Sequence, residues 1–203
     1  MLIVKSKYKI AKRLGPAVFD QTQTQKFSLS EARSKAKPRG GRRGGSDYGR
    51  QLLEKQRVRY SYGLSEKQLS GYVEKATHAQ NPAAALHKML EMRADNAVYR
   101  AGFASTRRAA RQIVSHGHIL INGRRTTVPS QMLRKGDMVS IREGSRTSAL
   151  FAGLGEKSAD ERRGVPNWLE TDVPLLNSKV VGEPAYTGAE GLDYAVVFEF
   201  YSR

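Results

Sequence analysis

The most constraining stretch of this 203-residue chain lies between Ala104 and Val128. Ser105 or Thr106 can cap a helix ahead of Arg107-Arg108-Ala109-Ala110-Arg111-Gln112-Ile113-Val114-Ser115-His116, and Gly117 stands where that helix would stop. Two short strand-like runs follow, His118 to Ile121 and Arg124 to Val128, joined by Asn122-Gly123, the strongest short hairpin signal. A further strand is expected over Asp137-Met138-Val139-Ser140-Ile141, after a polar turn at Lys135-Gly136. Ala109, Ala110, Ile113 and Val114 give the helix a buried side, so the segment reads as helix packed on a small sheet and the class as α+β.

On the remaining surface of that helix, Arg107, Arg108 and Arg111 crowd together, an arrangement that is unfavourable without a polyanion. Because Gly117 can turn the chain sharply, helix and hairpin tip can present their polar groups on a common side. The candidate polyanion-binding patch is Arg107, Arg108, Arg111, Gln112 and His116 with Asn122 and Arg124. The competing reading leaves the arginines merely solvated or paired with Glu91 and Asp95.

Charge divides the chain into three zones. Residues 1–46 carry twelve Lys and Arg against two acids, residues 47–155 eighteen against eight, and residues 156–203 five against nine, within an overall net charge of +16. Two basic segments and an acidic tail suggest a polyanion on one side and a basic neighbour, or the chain's own basic body, on the other. No apolar run approaches the roughly 18 residues of a membrane span. The first four residues are apolar, but Lys5, Lys7, Lys9, Lys12 and Arg13 follow too soon for a secretory signal. With no cysteine there is neither disulfide nor thiolate metal site, and neither metal nor cofactor is expected.

Residues 1–45 read as an extended basic arm, richest in Lys35-Ala-Lys37-Pro38-Arg39-Gly40-Gly41-Arg42-Arg43, where cations alternate with helix-avoiding residues. Lys12, Arg13, Arg39, Arg42 and Arg43 are its candidate phosphate contacts. Helices are expected from Ser46 to the stop at Gly63, from Ser65 to about Thr77, and from Asn81-Pro82 onward. Along the first of these, Tyr48, Arg50, Lys55 and Arg59 are candidate contacts. Trp168 reads as core, and Tyr194 to Tyr201 as a strand-like tail packed on the body.

Arg93-Ala-Asp95-Asn96-Ala-Val98-Tyr99-Arg100-Ala-Gly102-Phe103, Ser115-His116, Ile121-Asn122-Gly123 and Val139-Ser140-Ile141-Arg142-Glu143 together resemble the RNA-binding domain named after ribosomal protein S-four. Ser46-Asp47-Tyr48-Gly49, Glu54-Lys55-Gln56, Tyr62-Gly63, Pro166-Asn-Trp168-Leu169-Glu170 and Glu199-Phe-Tyr201-Ser202 extend the resemblance to the bacterial-type ribosomal family from end to end, in its cysteine-less branch. The resemblance implies a helical body with an inserted helix-plus-sheet module: arm 1–45, helical domain 46–92 completed by 156–203, module 93–155. It also implies a cytoplasmic, structural constituent of the small ribosomal subunit. Such a protein is a primary binder of ribosomal RNA at a five-prime-domain junction that nucleates assembly and contributes to translational accuracy. Small-subunit protein five is the expected neighbour, with messenger RNA entering the subunit as a further partner. The Gly-rich arm lacks the family's usual Gly-Gln-His-Gly stretch.

Catalytic readings are weak. Gly153-Leu-Gly155-Glu156-Lys157-Ser158 lacks the first glycine of a phosphate loop and interposes Glu156, and His116-Gly117-His118 has no third ligand at a recognisable spacing. Asp95 reads as a helix-boundary acceptor or a partner of Arg93 or Arg100. An RNA-modifying enzyme or a ribosome-associated stress factor carrying the same module is the alternative. The enzyme would need a further catalytic domain, and the stress factor would normally lack the match over residues 1–90.

Overall fold

The structure, a computed structural model, describes residues 4, 6–35, 46–151, 154, 164–188 and 191–202. Arg39, Arg42 and Arg43 lie outside the described residues, as does most of the stretch 153–158. The chain divides into two compact units, Met1–Leu86 with Thr187–Arg203, and His87–Tyr186. Among the described residues no helix is long and apolar enough to cross a membrane.

In the first unit the amino-terminal segment is not an extended arm over its described part. It forms α1 (Lys7–Leu14), short 3-10 turns at Pro16–Val18 and Asp20–Thr22, and α2 (Gln25–Lys35). The apolar minority explains the correction: Ala11, Leu14, Val18 and Phe27 are all buried. The Thr22 hydroxyl ties the turns by approaching the Pro16 and Phe19 carbonyls at 2.8 Å each, and Arg57 donates to the Leu14 carbonyl at 2.9 Å. High charge density hid a folded segment because few apolar side chains suffice when they pack on a neighbouring helix.

That neighbour is α3 (Asp47–Ser61), followed by α4 (Glu66–Thr77) and α5 (Pro82–Glu91), the last running across the division between units. Each begins where a side chain can satisfy an orphan backbone donor. Ser46 accepts from the Gly49 N–H at 3.2 Å, Ser65 and Gln68 form a reciprocal capping box, and Asn81 accepts from the Ala84 N–H at 3.2 Å.

Tyr194–Tyr201, the last helix in chain order (α9), is a helix rather than a strand. Asp193 caps it through the Val196 N–H at 3.3 Å. Val196 and Val197 are buried in succession while Ala195 and Glu199, four apart, are exposed, a helical and not an alternating pattern. The run is rich in β-formers, but packing against α3 overrides that weak preference. Inside, the Tyr62 and Tyr194 hydroxyls meet at 3.2 Å.

The second unit comprises α6 (Ala94–Arg100), α7 (Arg107–Ser115), β1 (Ile119–Ile121), β2 (Arg124–Thr126), β3 (Met138–Ile141), α8 (Glu143–Arg146), β4 (Leu169–Asp172) and β5 (Asn177–Val180). Its antiparallel sheet has the order β2-β1-β3-β5-β4. Thr106 caps α7 through the Ala109 N–H at 3.1 Å, and Ala110, Ile113 and Val114 join Val98, Phe103, Ile119, Val139, Ile141 and Trp168 in one core. At Gly117 φ is +74°, a conformation that calls for glycine, and the exposed Arg125 side chain lies over the position a Cβ would take.

The expected boundary at residue 155 differs from this arrangement. β5 pairs with β3, Val139 opposite Ser178, and β4 pairs with β5, so residues up to Tyr186 belong with the sheet and only Thr187–Arg203 return to the helical unit. Covering the β3 edge is the physical reason, since an open edge leaves backbone groups unpaired.

Candidate nucleic-acid interface

On α1, Ala11 and Leu14 turn inward and leave Lys12 and Arg13 exposed on the opposite side. Arg50 on α3 is exposed, with Glu199 at 3.9 Å, and Tyr48 stays half exposed beside Phe200. Lys55 does not share that surface. Its side chain is only 8% exposed; its Nζ lies 2.8 Å from Glu66 Oε1 and 4.2 Å from the Phe200 ring centroid. Arg59 approaches the same carboxylate at 3.6 Å and donates to the Leu64 carbonyl at 3.3 Å. Burial would raise the Glu66 pKa, but hydrogen bonds from Lys55 and Tyr201 and the charges of Lys55 and Arg59 together hold it below the ordinary value. The expected basic stripe of α3 is thus partly a packing device, and Lys55 as a phosphate contact is corrected.

In the second unit, Arg108, Gln112, His116 and Arg124 are exposed. Arg107 and Arg111 are not merely solvated. Arg107 Nε donates to Asn96 Oδ1 at 2.8 Å, its Nη2 lies 3.7 Å from Glu91, and its guanidinium stands 4.4 Å from the Tyr99 ring centroid. Arg111 grips Asp95 Oδ2 through Nε at 2.7 Å and Nη2 at 2.6 Å. The competing reading of these arginines, pairing with Glu91 and Asp95, is the geometry found.

Asn122 also has a structural task. With φ at +51° it sits at the hairpin tip, donates from Nδ2 to Asp137 Oδ1 at 2.8 Å and accepts the Met138 N–H at 2.8 Å. Both ends of the amide thereby tie the hairpin to the start of β3, while the residue stays exposed at the hairpin tip.

Two cations missing from the sequence reading belong to the exposed set. Arg125 lies over Gly117 and donates to the His116 carbonyl at 3.2 Å, and Arg142 follows directly on β3. Both bear on His118, whose pKa is lowered by burial and then by the charges of His116, Arg142 and Arg125. The signal for Arg142 was available: a basic residue just past the last strand position. Arg125 could not be distinguished from Arg124 without the strand's register.

Residues 4–92 match the model described as ribosomal protein S4/S9 N-terminal domain, and residues 92–139 match that of the S4 domain. Small ribosomal subunit protein uS4 of a Roseiflexus species is 42% identical over 197 residues, covering 96% of this chain and 96% of its own. The chain belongs to the uS4 family. Other uS4 proteins agree: that of Borrelia turicatae is 37% identical over 201 residues, 98% of this chain and 96% of its own, and that of Persephonella marina 44% identical over 160 residues, 77% of each. The S4 domain match ends at residue 139, within β3, whereas the sheet of this uS4 family member continues through β5 to Val180.

Proposed function

We propose that the chain is a non-catalytic structural constituent of the small ribosomal subunit that binds ribosomal RNA. The observation that carries this reading is near-full-length identity to proteins named small ribosomal subunit protein uS4. It also disfavours the modifying enzyme and the stress factor as alternatives. A net charge of +16 and the exposed cations supply the physical means, since phosphate contacts by Arg and Lys fix a protein's register on RNA. The contact set is Lys12, Arg13, Arg50, Arg108, Arg124, Arg125 and Arg142, with Tyr48, Gln112 and His116 as further partners. The finer reading rests on the family resemblance: primary binding at a five-prime-domain junction, early action in assembly, contribution to accuracy, contact with protein five and with messenger RNA entering the subunit, and a cytoplasmic location.

The test is a salt titration of binding to deproteinised small-subunit ribosomal RNA. Log affinity should fall linearly against log salt, with a slope of magnitude roughly 0.7 to 0.9 per phosphate contact, a scale taken from nucleic acids in general. A flat titration would overturn electrostatic binding.

A further inference from the structure

The second unit holds a buried ionic cluster that the contact set above does not use. Asp95 receives Arg93 on both oxygens, Nε and Nη2 at 2.9 Å each, and then Arg111. Glu91 receives Arg100 on both oxygens at 2.7 and 2.9 Å, with Arg107 beside it. The two carboxylates are almost wholly enclosed, at 1% and 4% exposure, and so is Arg93 at 2%. Arg100, Arg107 and Arg111 reach the rim at 22%, 25% and 16%.

Two features distinguish this cluster from an ordinary structural ion pair. Four guanidinium groups face two carboxylates, so the cluster keeps two positive charges that its own acids do not neutralise. And α7 carries Arg107 and Arg111 one turn apart, each with Nε and Nη2 engaged with, or close to, acceptors on the α5–α6 segment. An arginine side chain otherwise loses rotamer freedom when a ligand immobilises it. Here that loss is met during folding. Burying carboxylates stabilises a fold poorly compared with apolar packing, so a cluster of this kind is better explained by what it orders than by stability.

We propose that Asp95 and Glu91 are positioning residues for RNA binding: they hold Arg111 and Arg107 at the rim beside exposed Arg108 so that the three present a preorganised, net-positive site to the phosphodiester backbone. This rests on the RNA-binding reading above. It restores Arg107 and Arg111 to the interface in a different capacity from that of freely solvated side chains.

Asp95→Asn separates positioning from simple charge, because it adds one positive charge to the site while replacing one of the two oxygens that receive Arg93 and Arg111 with an amide nitrogen that cannot accept. Coulomb attraction alone would tighten binding. Positioning predicts the opposite, an affinity for deproteinised small-subunit RNA lower by about tenfold, the lower end of the scale seen when outer-shell groups that orient metal-ligating side chains are removed. Val114→Ala, in the core and outside the cluster, is the control for lost stability and should bind as the wild type does. Trp168, the chain's single tryptophan and buried in this unit, reports by fluorescence whether each variant is folded. Should Asp95→Asn unfold, Arg111→Lys decides instead: it keeps the charge, loses the planar fork, and should weaken binding several-fold. Unchanged or tighter binding by the folded variant, or an equal loss in Val114→Ala, overturns the proposal while leaving the RNA-binding reading intact. Absence of binding by the wild type overturns both.

Discussion

Lys55 and Arg59 on α3 and Arg107 and Arg111 on α7 are the same pattern in sequence, two cations one turn apart, yet they meet different surroundings. The first pair shares one carboxylate, Glu66, which remains 45% exposed, and the Lys55 ammonium lies over the Phe200 ring. The second pair meets two carboxylates that are almost completely buried and are already committed to two further arginines. In the helical unit a cation is drawn inward to fasten α9. In the unit from 87 to 186 acids are drawn inward and fasten cations at the rim. Spacing along a helix therefore says which charges share a face, and the number and burial of acids brought in from elsewhere says what the face is for.

The contrast is broken most severely at Asp95. Asp95→Ala leaves Arg93, 2% exposed, without its bidentate partner, and loss of one member of a buried pair costs about 3 to 5 kcal/mol. Urea unfolding followed by Trp168 fluorescence should show the midpoint falling accordingly. A shift equivalent to less than about 1 kcal/mol, the upper range for exposed pairs, would mean that the cluster behaves as solvated surface charge.

Lys55→Ala should do less. Glu66 can rehydrate, so the loss is the contact with the aromatic ring and the packing of the aliphatic stem, about 2 kcal/mol in all. Far-UV circular dichroism of the thermal transition checks it. A cost equal to that of Asp95→Ala would erase the distinction between the two pairs.

Much of this architecture was legible because it is local. The caps at Ser46, Ser65, Asn81 and Thr106, and the hairpin at Asn122-Gly123, depend on residues within three or four positions of one another. What was not legible depends on distant partners. Asn177-Ser-Lys-Val180 has no strand-like composition and becomes β5 only because the β3 edge accepts it. Tyr194 to Tyr201 reads as β and is helical because α3 offers a groove-side partner and Asp193 a cap. Among candidate contacts, exposure of Arg108 and Arg124 followed from pattern, but the enclosure of Lys55 and the double engagement of Asn122 required Glu66, Phe200 and Asp137, which lie between 11 and 145 positions away.

The smallest expected effect separates the two clusters by pH. Tyr201 donates its hydroxyl to Glu66 Oε1 at 2.7 Å, and burial first, then that hydrogen bond and the Glu66 charge, push its pKa well above the ordinary phenol value. Because the folded-state pKa is raised, the stabilisation is fully present below the unfolded value near 10 and is lost as pH rises through the folded value. Tyr201→Phe should cost about 1 kcal/mol at neutral pH, the usual worth of one hydrogen bond, somewhat less because the group is only half buried. The gap in melting temperature between wild type and variant should then narrow progressively above about pH 10, with the other tyrosines cancelling in the comparison. Asp95→Ala removes no phenol, so the difference between wild type and that variant should not follow this narrowing over the same interval. A Tyr201→Phe gap that stayed constant up to pH 11 would show that the hydroxyl contributes nothing through Glu66.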